Sequence, residues 1–82
     1  MPRIDMKATG SRIRHLRDLN GLTNKDIQSV FGFGTPQAIY KWMRGDALPS
    51  VDNLVILADL FNVTINDILV INKDDDNDSA VA

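Results

Sequence analysis

Four polar side chains, Gln37, Tyr40, Lys41 and Arg44, recur at spacings of three, four and seven. On a helix that spacing places an amide, a phenol, an ammonium and a guanidinium on one face. A glutamine amide can bond bidentately to adenine N6 and N7, and a lysine can reach guanine O6 and N7. A phenol adds apolar contact and a hydroxyl. Arg44, near the end of the run, suits a backbone phosphate. The residues between them (Ala38, Ile39 and Trp42) are apolar and fall on the opposite side. Trp42 is read as a core anchor rather than a base-stacking residue, because it shares the helical face of Ile39 and Ala38. One side of this helix is made for burial and the other for the major groove of DNA.

Catalytic chemistry finds no comparable set. His15 is the only histidine and lies among Arg12, Arg14 and Arg17, which offer no metal partner. The acids are all aspartates, and no pair of them has an acid/base setting. Gly32-Phe33-Gly34 echoes a dinucleotide loop but lacks the third glycine and follows a helix rather than a strand. With no cysteine there is no thiolate nucleophile, disulfide or cysteine-held metal. The expectation is a non-enzyme with no catalytic residue, metal or cofactor, and no small-molecule ligand is implied.

The elements that must carry this face are marked by their ends. Thr23, Thr35, Ser50 and Thr64 are expected as N-caps, each with an oxygen for an orphan N–H. Thr23 with Asp26, and Thr64 with Asp67, have the spacing of a short capping box. Pro36 follows Thr35 at the expected first helical position. Gly21, Gly32, Gly45 and Asn62 are the expected left-handed stops. Apolar periodicity between these marks predicts helices over about 8–20, 24–31, 36–44, 51–61 and 65–70. No stretch has the alternation of a half-buried strand. Helices two and three are joined only by Gly32, Phe33 and Gly34, a link short enough to force a helix-turn-helix arrangement. The fold expected is all-α, with five helices around one core.

Eighty-two residues suffice for one small core and no deep cleft. The net charge of −2 hides an asymmetry. Residues 1–45 hold eight Lys or Arg against three Asp, whereas residues 46–82 hold one Lys against eight Asp. That division points to a polyanion-facing side and an acidic side. Residues 1–72 are read as the domain and the acidic run 73–82 as a disordered tail. No apolar run reaches the length of a membrane span, and the N-terminus lacks the apolar core of a signal peptide. A cytoplasmic location without membrane association is expected. Arg3 and Lys7 are read as part of a frayed terminus, with an arm toward DNA as the other reading.

The ordered series Gly21-Leu22-Thr23, Asp26-Ile27, Gly32, Tyr40-Lys41-Trp42 and Arg44-Gly45 resembles the lambda-repressor-like, Cro-type (XRE) helix-turn-helix regulators. Leu48-Pro49-Ser50, Leu54, Leu57-Ala58, Val63-Thr64 and Ile68-Leu69 continue the resemblance in register, from about Thr9 to Leu69. It implies a compact five-helix bacterial or phage domain that binds double-stranded DNA and regulates transcription, often as a homodimer on inverted repeats. It places the base-reading positions on Pro36, Gln37, Tyr40 and Lys41. Asn24 falls on a polar position that contacts phosphate at the start of helix two, and Thr35 on the cap before the recognition helix. The expected phosphate set is Arg14, Arg17, Thr23, Asn24, Lys25, Thr35 and Arg44.

Four positions depart from the family pattern. The turn is one residue longer, with Gly34 the extra residue, enough to rotate the recognition helix. Gln28 stands where relatives commonly carry a small alanine. Met43 stands where many have a glutamate paired with the residue at Arg17, leaving Arg17 expected free for phosphate. Asp46-Ala47-Leu48 replaces a segment that is basic in some relatives, which predicts weaker backbone contact there. The competing reading is a protein-interaction module, antitoxin-like or a regulatory partner, that keeps the fold without reading DNA. Val63, Ile65, Val70 and Ile71 would then be its self-association patch, the other reading being that they merely close the core.

Overall fold

In the computed structural model, which describes residues 1–73, helix α1 (Met6–Leu19) begins at Asp5, whose carboxylate accepts from the Ala8 N–H at 2.9 Å. The start lies about two residues ahead of the predicted one, because the acid at Asp5 supplies a cap that the periodicity does not register. Helix α2 (Asn24–Phe31) is closed at its start by a reciprocal capping box. The Thr23 hydroxyl accepts from the Asp26 N–H at 3.1 Å, and the Asp26 carboxylate accepts from the Thr23 N–H at 2.8 Å. Helix α4 (Val51–Phe61) is capped by Ser50, and α5 (Ile65–Ile68) by a second box made of Thr64 and Asp67. All four expected stops have positive φ: Gly21 67°, Gly32 68°, Gly45 78° and Asn62 58°.

Helix α3 (Gln37–Arg44) departs from expectation at its entrance. Thr35 does not cap it. Pro36 is the N-cap, with φ −85° and ψ 7°, and no side chain caps the helix. The Pro36 carbonyl accepts from the Tyr40 N–H at 3.0 Å and closes the first turn. The connection bends over 34–36, so helical dihedrals begin one residue later than predicted.

Two further differences arise near the chain ends. Pro2–Ile4 (β1) and Ile71–Lys73 (β2) form an antiparallel ribbon, pairing Pro2 with Lys73, Arg3 with Asn72 and Ile4 with Ile71. Strands of three residues are too short for alternation to show in sequence, and their partners are at opposite ends of the chain. Helix α5 stops at Ile68 rather than 70, because the chain turns extended at Leu69 (ψ 132°) to enter this ribbon. The Val70 N–H donates to Thr9 Oγ1 at 3.0 Å, and the Val70 carbonyl accepts from the Asp5 N–H at 2.7 Å. Lys73, assigned to the tail by the sequence, is therefore paired. The remainder of the expected acidic tail, 74–82, lies outside the described residues.

The core joins Ile13 and Leu16 of α1, Ile27 of α2, Ile39, Trp42 and Met43 of α3, Leu54, Leu57, Ala58 and Phe61 of α4, and Ile68 of α5. Val63 and Ile65, two members of the expected self-association patch, pack against that core, while Ile71 is exposed. Among the described residues no helix is long and apolar enough to cross a membrane.

The cap at α5 carries a test. Thr64→Ala is expected to cost about 1 kcal/mol, a fall in Tm of about 4–8 °C. Asp67 is held below the usual carboxylate pKa by hydrogen bonds from the Thr64 backbone and then its side chain. Arg12 adds a smaller electrostatic pull, and desolvation opposes them. Because the folded value is depressed, this contribution is present above the unfolded pKa and is lost as pH falls through the folded value. Melting curves near neutral pH and at about pH 3 should differ less for the variant than for the parent.

Candidate nucleic-acid interface

On α3 the burial pattern divides as the spacing requires. Ile39, Trp42 and Met43 are buried and Ala38 half-buried, while Gln37, Tyr40, Lys41 and Arg44 are exposed. Tyr40 retains 40 % of its surface. Neither Gln37 nor Lys41 has a side-chain hydrogen-bond partner among the described residues. Pro36, the fourth expected base-reading residue, is half-buried at the entrance of the helix.

The turn before α3 has an internal scaffold that the sequence did not disclose. Phe31 and Phe33 stack with centroids 5.0 Å apart, and both present an edge-type contact to Trp42, at 5.4 and 6.0 Å. Gln28, half-buried, donates from Nε2 to the Phe33 carbonyl at 3.1 Å. Gln28 thus ties the turn back onto α2. The only signal in the sequence is the pair of phenylalanines flanking Gly32.

Helix α1 lies against the C-terminal end of α3. A Cβ at Gly10 would fall 2.5 Å from the Trp42 carbonyl oxygen and 2.7 Å from that of Met43. At Gly45 a Cβ would fall 2.7 Å from Lys7 Cα. These two backbone approaches fix α1 relative to the reading helix.

The expected phosphate residues divide into groups. Arg17, expected free, is held at three points. Its Nε donates to Asp18 at 2.8 Å, its Nη1 to Asn24 Oδ1 at 2.8 Å, and Nη1 also lies 3.5 Å from Met43 Sδ. The exchange of glutamate for methionine therefore does not release this guanidinium, because the neighbouring Asp18 and the start of α2 supply acceptors. Arg17 and Asn24 are joined, and Thr23 and Lys25 flank them as exposed residues at the first turn of α2. Arg14 and Arg44 both line a concavity between α1 and the end of α3. Thr35 is exposed in the bend, apart from the cap it was expected to form.

Asp46, just beyond α3, accepts from Arg44 Nε at 2.8 Å. That hydrogen bond, reinforced by the charges of Arg44, Lys7 and Lys41 and opposed by desolvation, holds its carboxyl below the usual range. The acid thus engages part of the Arg44 guanidinium.

The fold has solved counterparts. The restriction-modification controller protein C.AhdI from Aeromonas hydrophila superposes with a TM-score of 0.69 at 23 % identity, covering 78 % of this chain and 96 % of that one. The DNA-binding domain of BldD gives a TM-score of 0.66 at 26 % identity, covering 79 % and 93 %. The BldD DNA-binding domain of S. venezulae gives 0.67 at 26 %, covering 79 % and 96 %. Among curated proteins no sequence matches significantly. The family model described as Helix-turn-helix (HTH_3) matches residues 13–68, from the middle of α1 to the end of α5. With α2, the turn and α3 all inside that match, the chain belongs to the helix-turn-helix family.

Proposed function

We propose that this chain is a sequence-specific binder of double-stranded DNA acting in transcriptional regulation, with α3 placed in the major groove. The observation that carries the reading is the division of α3: Ile39, Trp42 and Met43 anchor it, while Gln37, Tyr40, Lys41 and Arg44 stand exposed along the other side. The DNA-binding domain of BldD, built on the same fold, supports it. Gln37 and Lys41 are the principal base-reading residues, with Tyr40 and Pro36 beside them. The joined pair Arg17–Asn24 and the neighbouring Thr23 and Lys25 meet the phosphates. The chain works by binding alone, as the family and its solved relatives support, in the compartment that holds the DNA.

The mechanism has two layers. Cationic side chains release counterions and fix the orientation of the protein on the duplex. Residues of α3 then discriminate bases. A dimer making roughly six phosphate contacts would show log K falling with log salt at a slope near −5. Gln37→Ala is expected to cost about 1–3 kcal/mol on the preferred site and to relax specificity there. Selection of bound sites from random duplexes, followed by titration of the parent and this variant, checks both statements. Parent and variant binding all sequences alike would refute the reading face. Absence of any shift of generic duplex at low salt would favour the protein-interaction module instead.

A further inference from the structure

The backbone of Phe33 is gripped from both sides by one residue. Its N–H donates to the Gln28 carbonyl at 3.1 Å, the bond that closes α2 around the left-handed Gly32. Its carbonyl accepts from Gln28 Nε2, also at 3.1 Å. The first bond is ordinary helix termination, which any residue at position 28 supplies through its backbone. The second needs a side-chain donor long enough to reach past the end of the helix. The Phe33 ring is held as well, stacked at 14° on Phe31 and edge-on to Trp42 of α3. Gln28 and the aromatic cluster therefore fix one turn residue at its main chain and its side chain together.

Beyond Phe33 the chain has little to hold it until α3 begins. Among the described residues neither Gly34 nor Thr35 donates a backbone hydrogen bond, and no side chain caps α3. A Cβ at Gly34 would meet nothing within 4 Å. The far end of α3 is set differently, by the close approach of α1 at Gly10 and Gly45. Buried Ile39 and Trp42 anchor the middle of the helix. The angle of its first turn is left to the chain that enters it, and Gln37 is the first residue of that turn. The nearest fixed point upstream of Gln37 is Phe33, held by Gln28.

We propose that Gln28 is a positioning residue for base recognition: its side-chain bond to Phe33 fixes the entrance of α3 so that Gln37 meets its base edge in register. The inference rests on the DNA-binding reading and deepens it, adding a residue that sets specificity without touching a base. A bidentate contact between an amide and adenine needs two hydrogen bonds aligned at once, so a small tilt of the helix forfeits it. Phosphate contacts tolerate the same tilt, because attraction between charges falls off slowly with distance and makes little directional demand. Loss of the clamp therefore separates the two layers of binding. Discrimination between sequences goes, and the attraction common to all duplexes stays.

The test uses Gln28→Met in the full chain, which keeps the length of the side chain and removes its donor, with Gln28→Ala as the second variant. Melting curves establish that each is folded at the temperature of the titrations. Fluorescence anisotropy then follows two labelled duplexes, one carrying the site selected by the parent and one scrambled, across a range of salt concentrations. The preference of Gln28→Met for the selected duplex is expected to fall by roughly tenfold, the worth of one good base contact. Its affinity for the scrambled duplex and its slope of log K against log salt should stay parental. Combined with Gln37→Ala, Gln28→Met should remove little further preference, because the contact that it positions is already gone. Parental preference in either folded variant would overturn the proposal while leaving the reading of bases by Gln37 intact. An equal loss on both duplexes would also overturn it, since that marks a phosphate contact, and so would fully additive losses in the double variant. Absence of any preference in the parent itself would count against base reading as such, and the positioning role would fall with it.

Discussion

Trp42→Ala is expected to remove about 3–5 kcal/mol of stability, the cost of deleting a buried aromatic side chain. A domain of this size has about 4–12 kcal/mol in total, so the variant should be largely unfolded at elevated temperature and partly so at 25 °C. The indole is 5 % exposed and is the common partner of Phe31 and Phe33. Its loss leaves the phenylalanine stack facing a void, and with it the connection that sets α3 relative to α2. Binding should therefore fall by more than the folded fraction alone accounts for. Urea denaturation and titration of duplex by the residual folded protein measure the two effects separately. A midpoint shift equivalent to less than about 1 kcal/mol would contradict the anchoring role assigned to this residue.

Gly10→Ala is expected to destabilise by about 2–3 kcal/mol, against the ordinary sign for this exchange within a helix. In an exposed helix interior, alanine gains about 1 kcal/mol over glycine. Here the added methyl would meet the carbonyl oxygens of Trp42 and Met43 at 2.5 and 2.7 Å and the Met43 carbonyl carbon at 2.9 Å. Those atoms are backbone and cannot rotate aside, so α1 and α3 must separate, and overpacking of that kind lies at the upper end of its usual cost of about 1–3 kcal/mol or beyond. The separation also carries Lys7 and Arg14 away from Arg44. Chemical denaturation gives the stability change. A variant as stable as the parent, or more so, would mean that the two helices can part without loss.

Local chemistry made most of the fold legible in advance. The capping boxes at Thr23 and Thr64 and the left-handed stops at Gly32, Gly45 and Asn62 involve neighbours within a few residues, so their consequences can be read directly. The two faces of α3 followed from periodicity alone. What escaped depends on residues distant in the chain or on geometry that two residue types can both satisfy. Thr35 and Pro36 are both able to open a helix, and the bend containing Gly34 decided for Pro36. Arg17 looked unpartnered because its glutamate was replaced, whereas Asp18 and Asn24 supply the acceptors. Phe33 stood in a turn and gave no sign of joining Trp42. The ribbon β1–β2 depends on pairing across almost the whole sequence.

That ribbon sets an order of events. Asn72 donates to Asp5 across 67 residues of chain, at 3.1 Å, in company with the pairing of Pro2 and Lys73. Closing so long a loop is entropically unfavourable until intervening contacts have shortened it. The ribbon is therefore expected to zip up after the helices have docked, so it seals the finished bundle and takes no part in nucleating it.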